Sequence, residues 1–402
     1  MTKRFKIFLA IFPYLVFGIT GVCSKNASLL PTSLPIPYGG AISRTVNIAL
    51  LIDVSMVSIA TDSSYEIRGE LISKSGSETE SDLFLHGEGP WQATIQSKKN
   101  GIEINHKLYP VDNLIVKVLR GSIQVEKRRY YHQIRISRNS DGTLTIINQI
   151  DIDEYLKGVL PLEAHHDWPI ETLKAHAVVS RTFALFKSIE KQDQNFSLRD
   201  TVQSQVYGGA LFHKRATDRA IEITEGEILT FQGNIFPAYF HASCGGHTVQ
   251  ADHIWRVEPN PVLNGTPCQF CGGSKHSKWS LGISLAEVEA IMQKKGFPAK
   301  NLKQISFDDR DSSGRVSKVT LEYQRSKLII PAIDFRAFIG YNRLRSLKAH
   351  VEIKNENVHI HGFGWGHGVG FCQWGAKRQA EVGRTYREIL EFYFPGSEIK
   401  KV

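Results

Sequence analysis

The sequence lacks the features that would assign it to a simple class of protein. Beyond residue 23 it has no apolar run long enough to span a bilayer, which excludes a polytopic membrane protein. It has no internal repeat and no low-complexity tract, which excludes repeat architectures and a long disordered tail. It does have length and apolar content. With 42% hydrophobic residues over 402 positions, the chain can bury a core of about two or three packed units.

The positive charge is substantial but dispersed. A net charge of +9 fits nucleic acid, an anionic membrane surface or an acidic polymer as partner. The densest basic run, Glu126–His132, is typical of a solvated strand or loop. Because the leader described next indicates export, we expect no nucleic-acid partner.

Residues 1–23 have the pattern of an export signal. Three basic residues precede an apolar run from Ile7 to Val22, and polar residues follow it. The pattern predicts that the protein works in the periplasm or cell envelope and contacts a membrane only through this leader. Two alternatives stay open: the leader is retained as a membrane tether, or it is lipidated at Cys23.

The rest of the chain divides where its pattern changes. Residues 24–43 contain three prolines and a Gly–Gly pair, which predicts a linker. Residues 44–120 are predicted to form a β-rich N-terminal part, because β-branched and aromatic runs alternate with turn residues; this pattern continues to about Gln149. Asn139–Thr143 predicts a hairpin turn. Residues 121–402 are assigned to the core. Within it, residues 281–295 are predicted to form an amphipathic helix, and Thr385 with Glu388 is predicted as the capping box of a short closing helix.

One long helix follows the β pattern. It is predicted from Ile170 to about Ile189, with Pro169 in its first turn and Asp167 or Trp168 as the cap. Lys174 and Arg181 are spaced to lie on one face, and Glu163 is predicted in the loop just before the helix. A functional cluster and a solvated basic stripe are both compatible with this spacing.

Four stretches resemble the motifs of the SpoIID/LytB family, named for the sporulation stage II protein D and an amidase enhancer. They lie between about residues 121 and 395, in the family's order, and together are specific where each alone would be weak. The four are Glu154–Leu185, Asp200–Gly209, His241–Thr248 and Gly362–Gly383. The sequence departs from the family's pattern at Ala164–His165, His176 and Phe371–Cys372.

The resemblance implies an α+β protein that remodels peptidoglycan: a β-rich N-terminal part, then a SpoIID-like core with a long helix, glycine-rich loops and an inserted α/β portion. By motif position, Glu163 is the catalytic residue of a lytic transglycosylase, supported by Lys174 and Arg181. Two other roles stay open. One is a non-enzymatic activator of an N-acetylmuramoyl-L-alanine amidase, and the other is an envelope protein that binds glycan strands.

A single glutamate is enough for this reaction. A glycosidase that uses water needs two carboxylates, but a lytic transglycosylase uses the 6-hydroxyl of the sugar, so one residue serves as acid and then as base. Such an acid needs a raised pKa near neutral pH. Lys174, Arg181 and a nearby helix N-terminus would lower the pKa of Glu163, and burial would raise it.

The substrate-binding residues predicted from the matching motifs are Gln205, Tyr207, Trp365, His367 and Gln373. The glycine-rich stretch Gly362–Gly375 lacks the Gly-Lys-Ser/Thr ending of a phosphate loop. Its glycines allow close approach of a ligand, and its aromatic and amide groups suit sugars, so we interpret it as one wall of a glycan groove. For His367, a position in the groove and a hydrogen-bonded position in the core are equally compatible.

Three cysteines suggest a structural metal site. Cys268 and Cys271 form a C-x-x-C pair, Cys244 lies upstream, and His241 precedes it by three residues. These four would complete a tetrahedral zinc site, which the resemblance makes relevant because some members of the sporulation branch bind zinc here. A disulfide from Cys244 to Cys268 or Cys271 is the alternative in an exported protein. No organic cofactor is expected.

Overall fold

The computed structural model describes residues 36–37, 43–72, 78–192, 194–201, 204–255, 257–297 and 300–402. The predicted leader, with Cys23, lies outside the described residues, as does most of the predicted linker. None of the helices in the described part is long and apolar enough to cross a membrane. The α+β class and the strand-rich N-terminal part are confirmed.

Two sheets make up the β-rich part, and both include strands that follow residue 121. The seven-stranded sheet has the spatial order β14 (Leu198–Arg199), β2 (Thr45–Val54), β13 (Leu144–Asp151), β12 (Gln133–Arg138), β9 (Asn113–Val118), β4 (Tyr65–Ile72) and β5 (Glu78–Gly87). The six-stranded sheet has the order β11 (Arg128–Tyr130), β10 (Ile123–Val125), β3 (Met56–Thr61), β6 (Trp91–Lys98), β7 (Gly101–Ile104) and β8 (Lys107–Tyr109). The β-rich part therefore continues to Asp151, and the predicted hairpin at Asn139–Thr143 joins β12 to β13.

Two helices, not one, occupy the stretch that resembles the family's central motif. Helix α1 (Ile152–Glu163) follows β13 directly, and α2 (Ile170–Glu190) confirms the predicted long helix. Pro169 is the N-cap of α2 and no side chain caps it, so the predicted caps Asp167 and Trp168 are wrong. Helix α2 is buried over most of its length, among α1, α3 (Arg215–Ile223), α7 (Gln373–Glu381) and α8 (Tyr386–Tyr393).

Two small sheets close the core around α2. A four-stranded sheet has the order β1 (Ile36–Pro37), β16 (Asn234–Ile235), β15 (Glu227–Phe231) and β25 (Glu398–Lys401). Strands β17 (Phe240–His241) and β24 (Phe371–Cys372) pair in parallel, with His241 opposite Cys372. This pair joins two motifs that lie about 130 residues apart in sequence. A short helix, α4 (Ala251–Ile254), follows β17, and the predicted capping box of Thr385 and Glu388 begins α8.

The inserted α/β portion is formed by two three-stranded sheets and two helices. Their order is β18 (Trp279–Ser284), β23 (Asn357–Gly362) and β22 (Ala349–Lys354) in one sheet, and β19 (Leu302–Arg310), β20 (Val316–Tyr323) and β21 (Ser326–Pro331) in the other, with helices α5 (Leu285–Lys294) and α6 (Ala332–Ile339). The helix predicted over 281–295 begins only at Leu285, because residues up to Ser284 pair in β18. The Ser284 hydroxyl then accepts from Glu287 N–H at 3.1 Å and caps the helix.

Candidate active site

Glu163 is the last residue of helix α1, not a loop residue before α2. Its Oε1 accepts a hydrogen bond from the backbone N–H of Val206 at 3.0 Å, and its backbone oxygen accepts one from Nε2 of Gln373 at 3.1 Å. Three segments that are distant in sequence therefore meet at Glu163: the end of α1, the loop after β14 and the start of α7. The carboxyl group is fixed by the main chain on one oxygen.

The surroundings of Glu163 favour its protonated form. Burial raises the pKa of Glu163, and this effect outweighs the hydrogen bonds from Val206 and Gln373, which lower it. The negative end of the α1 dipole also lies at this residue and disfavours a second negative charge. The sequence predicted a helix N-terminus beside Glu163, and the structure places a helix C-terminus there, which reverses the sign of the dipole's effect.

The structure places Lys174 and Arg181 against other partners. The Lys174 ammonium lies 2.6 Å from Glu171 Oε1 and 4.5 Å from the centre of the Tyr386 ring. Arg181 is fully buried, and its Nε donates to Asp153 Oδ1 at 2.7 Å. Neither cation is among the groups that shift the pKa of Glu163. The interpretation of all three as one cluster is therefore wrong, because α1 and α2 are separate helices and Asp153 on α1 binds Arg181.

Gln205 and Tyr207 are both buried inside the core. The Gln205 side chain accepts from Tyr155 Oη at 3.2 Å and donates to the Ser180 carbonyl at 3.3 Å. The Tyr207 hydroxyl donates to Asn148 Oδ1 at 2.8 Å. Neither side chain can reach a bound polymer, so their prediction as substrate-binding residues is wrong. They fix the loop between them instead, and that loop supplies the Val206 N–H to Glu163.

Gln373 connects Glu163 to a buried histidine that sequence reasoning missed. Its Nε2 lies 2.8 Å from Nε2 of His176, and His176 Nδ1 lies 3.0 Å from Ser180 Oγ. Burial lowers the pKa of His176 to about 4, so the ring is neutral at neutral pH and accepts from the amide. The signal was the departure from the family's pattern at position 176. The pair sets the position of Gln373, and through it the end of helix α1.

A row of half-buried aromatic side chains begins beside Glu163. Trp168, in the loop that follows Glu163, contacts Trp374 edge-on at 5.5 Å between ring centres. Trp374 lies 6.0 Å from His276, and His276 lies 4.6 Å from Trp365. We call these four residues the aromatic ridge. Three different segments contribute to it, and two of its members, Trp365 and Trp374, lie in the glycine-rich stretch that the sequence predicted as one wall of the glycan groove.

Two cations border the aromatic ridge. The Arg345 guanidinium lies 4.9 Å from the centre of the Trp365 ring, and the Lys377 ammonium lies 5.5 Å from that of Trp374. Burial and the nearby cations lower the pKa of His276, so its ring is neutral at neutral pH. The ridge therefore presents apolar faces with positive charge at its edge, which suits sugar rings that carry acidic substituents.

His367 is half-buried and packs against Trp255 and Tyr239, next to the ridge. Its Nδ1 accepts from the Val369 N–H at 3.1 Å, which leaves the proton on Nε2, and Nε2 donates to the Phe240 carbonyl at 2.9 Å. Burial lowers the pKa of His367 well below its usual value. Both ring nitrogens form hydrogen bonds with the backbone, so His367 ties the glycine-rich stretch to β17, and its role in substrate binding stays a prediction.

Comparison with known proteins identifies the family. A sequence model described as stage II sporulation protein matches residues 140–231, which include Glu163, and a model of a domain of unknown function matches residues 270–370. The chain is 31% identical to an uncharacterized protein of Brachyspira hyodysenteriae over 67% of its length and 72% of the relative. It belongs to the SpoIID/LytB family.

Two relatives with functional names represent the two branches of the SpoIID/LytB family. The amidase enhancer of Bacillus subtilis is 28% identical over 79% of this chain, and stage II sporulation protein D of the same species is 26% identical over 63%. The chain covers 76% of the sporulation protein but spans only about half, 51%, of the amidase enhancer. Membership associates this chain with cell-wall remodelling.

Four thiols of this SpoIID/LytB protein meet at the start of helix α7. Cys244, Cys268, Cys271 and Cys372 are buried and free, and their sulfur atoms all lie within 4.8 Å of one another. Gly375 leaves room for them, because a Cβ at this position would lie 3.0 Å from Cys268 Sγ and 3.2 Å from Cys372 Sγ. Sulfur atoms at these distances fit the four thiolates of a tetrahedral zinc site.

His241 is not the fourth member of this cluster. It is paired with Cys372 between β17 and β24, but its Nδ1 lies 3.0 Å from the Val369 carbonyl oxygen. The fourth member of the cluster is Cys372, so the structure does not bring the predicted set of His241 and three cysteines together. The reason is tertiary: Cys372 lies 101 positions after Cys271 (372 minus 271), and the parallel pairing of β17 with β24 helps to bring it to Cys244.

Proposed function

We propose that this protein is a peptidoglycan lytic transglycosylase in which Glu163 is the only acid and base. The observation that carries the proposal is the position of Glu163: a carboxyl group at a helix C-terminus, with its pKa raised by burial, beside a half-buried aromatic ridge. In the described part of the chain, no carboxylate is among the groups that shift its pKa. A lone acid suits a reaction in which the sugar supplies its own nucleophile.

The proton steps close with one carboxyl group. Val206 N–H binds Oε1, so we assign the proton to Oε2. Glu163 gives this proton to the oxygen that leaves C1 of the N-acetylmuramic acid, and the C1–O bond breaks. The carboxylate then stabilises the positive sugar and takes the proton of its 6-hydroxyl, while O6 bonds to C1. The product ends in 1,6-anhydro-muramic acid, no water is consumed, and Glu163 is protonated again.

Gln373 is a positioning residue in this proposal. Its amide donates to the last carbonyl of helix α1 and is set by neutral His176. The aromatic ridge would bind the glycan strand, since stacking against sugar faces suits Trp168, Trp374 and Trp365. Arg345 and Lys377 would then face the acidic substituents of the strand. Stem peptides are attached to the same sugars, so the cleavage experiment compares intact strands with peptide-free strands.

We further propose that the protein acts outside the cytoplasm, in the periplasm or cell envelope. The support is the basic and apolar pattern of residues 1–23 together with the envelope polymer that the proposed reaction requires. Mass determination of the N-terminus of the protein isolated from cells would distinguish a cleaved leader, a retained leader and a lipid on Cys23. Intact residues 1–23 in a cytoplasmic fraction would contradict export.

A second candidate function is activation of an N-acetylmuramoyl-L-alanine amidase. The observation that favours it is the 28% identity to an amidase enhancer over 79% of this chain. In this role the aromatic ridge would hold the glycan and present it to the partner amidase, and the acid chemistry of Glu163 would be unnecessary. A glycan-binding envelope protein without any partner is the third role.

Mass spectrometry of digested glycan strands tests the proposal. The protein from residue 43 onward is incubated with intact and with peptide-free strands, and the ends are analysed. We expect 1,6-anhydro-muramic ends, abolished in Glu163→Gln and retained in Glu381→Gln, a carboxylate on α7 that pairs with Lys377 and Arg378. Cutting by a folded Glu163→Gln at the normal rate would refute the assignment. No cutting by the wild type, with Glu163→Gln still stimulating an amidase, would favour the activator.

We also propose that Cys244, Cys268, Cys271 and Cys372 bind one structural zinc ion. The four buried thiols supply a complete tetrahedral set, so no position is left for water or substrate. When bound, the metal would hold the loops that carry the thiols together. Cys372 is the N-cap of α7 and precedes Gln373, so the site would fix the start of the helix that positions Glu163.

A further inference from the structure

The inserted α/β portion sends one buried arginine to the thiol cluster. Between β19 and β20, Asp311 Oδ1 accepts from Ser313 N–H at 2.8 Å and from Arg315 N–H at 3.0 Å, and this turn directs the Arg315 side chain inward. Only 1% of Arg315 is exposed. The arginine therefore lies in the protein interior together with Ser313, whereas Ser312 of the same turn is exposed.

Arg315 contacts the loop that carries Cys244. Its Nη2 donates to the Cys244 carbonyl at 2.7 Å, and its Nη1 donates to the His247 carbonyl at 2.9 Å and to Ser313 Oγ. Its Nε has no acceptor among the described residues. These acceptors are neutral, so the guanidinium charge lacks a hydrogen-bonded carboxylate in the described part of the chain. Arg181, by contrast, donates directly to Asp153.

The glycine-rich stretch is shaped around the same guanidinium. A Cβ at Gly368 would lie 2.3 Å from Nη2 of Arg315, and Gly368 has a φ of +92°, which favours glycine. Arg315 therefore packs flat against the backbone of the stretch that leads to Cys372. Arg315, a single side chain of the inserted portion, therefore contacts both the loop that carries Cys244 and the stretch that leads to Cys372.

The charge of a zinc-loaded thiol cluster would explain why Arg315 is buried beside it. Four thiolates and one zinc ion carry a net double negative charge, which is unfavourable in the interior of a protein unless a positive group lies near it. With four neutral thiols, the Asp311 carboxylate, which accepts from the Arg315 backbone N–H, is the nearby negative group that acts on the guanidinium. The metal-loaded site, with all four thiols ionised, would add negative charge that Arg315 and the neighbouring Lys348 offset.

We propose that the inserted portion completes the metal site, with Arg315 supplying the positive charge that stabilises zinc bound by the four thiolates. This gives a role to a segment whose matching sequence model is described as a domain of unknown function. The proposal rests on zinc binding and is independent of the transglycosylase assignment, since it concerns the affinity of a structural ion.

Zinc affinity of the full chain tests this inference. Wild type, Arg315→Met and Arg315→Lys are purified without chelator, their zinc content is measured, and a coloured chelator competes for the ion. We expect about one zinc per chain in the wild type, an affinity about 10- to 100-fold weaker in Arg315→Met, and a smaller loss in Arg315→Lys, which keeps the charge. Cobalt substitution adds a readout, because the absorption of cobalt bound to four thiolates reports the ligand set without any activity.

The matched control is Arg336→Met in the same inserted portion. Arg336 is also buried, but its guanidinium donates to the Leu344 and Arg345 carbonyls, both at 2.8 Å, rather than to the loops that carry the thiols. We expect Arg336→Met to lower thermal stability and leave zinc affinity unchanged. Wild-type zinc affinity in a folded Arg315→Met would overturn the inference, and so would a wild type without metal. If Arg315→Met does not fold, the zinc affinity of Arg315→Lys is compared with that of Arg336→Met. Weaker zinc binding by Arg315→Lys supports a specific role of Arg315, and equal affinities of the two variants refute it.

Discussion

The burial of Arg181 leads to a prediction that separates stability from catalysis. Asp153 accepts from Arg181 Nε at 2.7 Å and from Arg44 Nη2 at 2.7 Å, and Arg181 also donates to the Glu227 carbonyl at 2.9 Å. Asp153→Asn leaves the fully buried guanidinium without its counter-charge, which destabilises a protein by about 3–5 kcal/mol. Arg181→Met leaves Asp153 paired with Arg44 and only the Glu227 carbonyl unsatisfied, which costs about 1–3 kcal/mol.

The assay combines unfolding with turnover. Unfolding in guanidinium chloride, monitored by tryptophan fluorescence, gives the free energy of unfolding of each variant. Glycan cleavage is measured per folded molecule. We expect a larger loss of stability in Asp153→Asn than in Arg181→Met, and a double variant less unstable than the sum of the two. Turnover per folded molecule should stay near the wild-type value.

Lys174→Met is the control on the same helix. Lys174 forms a half-buried ion pair with Glu171 and a cation–π contact with Tyr386, each worth about 1 kcal/mol or less, so we expect a smaller loss of stability than in Asp153→Asn. An Arg181→Met protein with wild-type stability but no turnover would refute the reasoning, because it would place Arg181 at the substrate.

Four further predictions concern the site. Burial raises the pKa of Glu163, so its bound proton contributes stability that is fully present below the ordinary pKa of 4.5 and is lost as pH rises through the raised pKa. Glu163→Gln should therefore resist denaturant better than wild type at neutral pH and show no gain below pH 4.5. An equal gain at both pH values would contradict this. The rate of glycan cleavage by the wild type should fall as pH rises through the same raised pKa. Trp374→Ala should weaken retention on sacculi in a pull-down, whereas Trp91→Ala, in the β-rich part, should not, and equal losses would argue against the ridge. Cys372→Ser should lower zinc content by elemental analysis and His241→Ala should not; the reverse result would restore His241 as the ligand.

The local sequence carried much of the architecture. The run without glycine or proline after Pro169 predicted α2, and the Asn139–Thr143 turn and the Thr385 capping box were confirmed where expected. These features depend on neighbours in the chain. Helix α1 was missed as a separate element, because Pro161 lies inside its last turn and a proline near a helix end is usually taken as a break.

The site divides in the same way. The sequence determined the candidates: one glutamate in a matching motif, a glycine-rich stretch with tryptophans, and a C-x-x-C pair. Tertiary structure alone decided the partners of each side chain. Arg181, Gln205 and Tyr207 are buried in the core, the backbone binds both ring nitrogens of His367, and Cys372 rather than His241 lies with the other three thiols. Sequence spacing fixes which face of a helix a residue occupies, but partners and burial arise from contacts between segments far apart in the chain, which no local pattern contains.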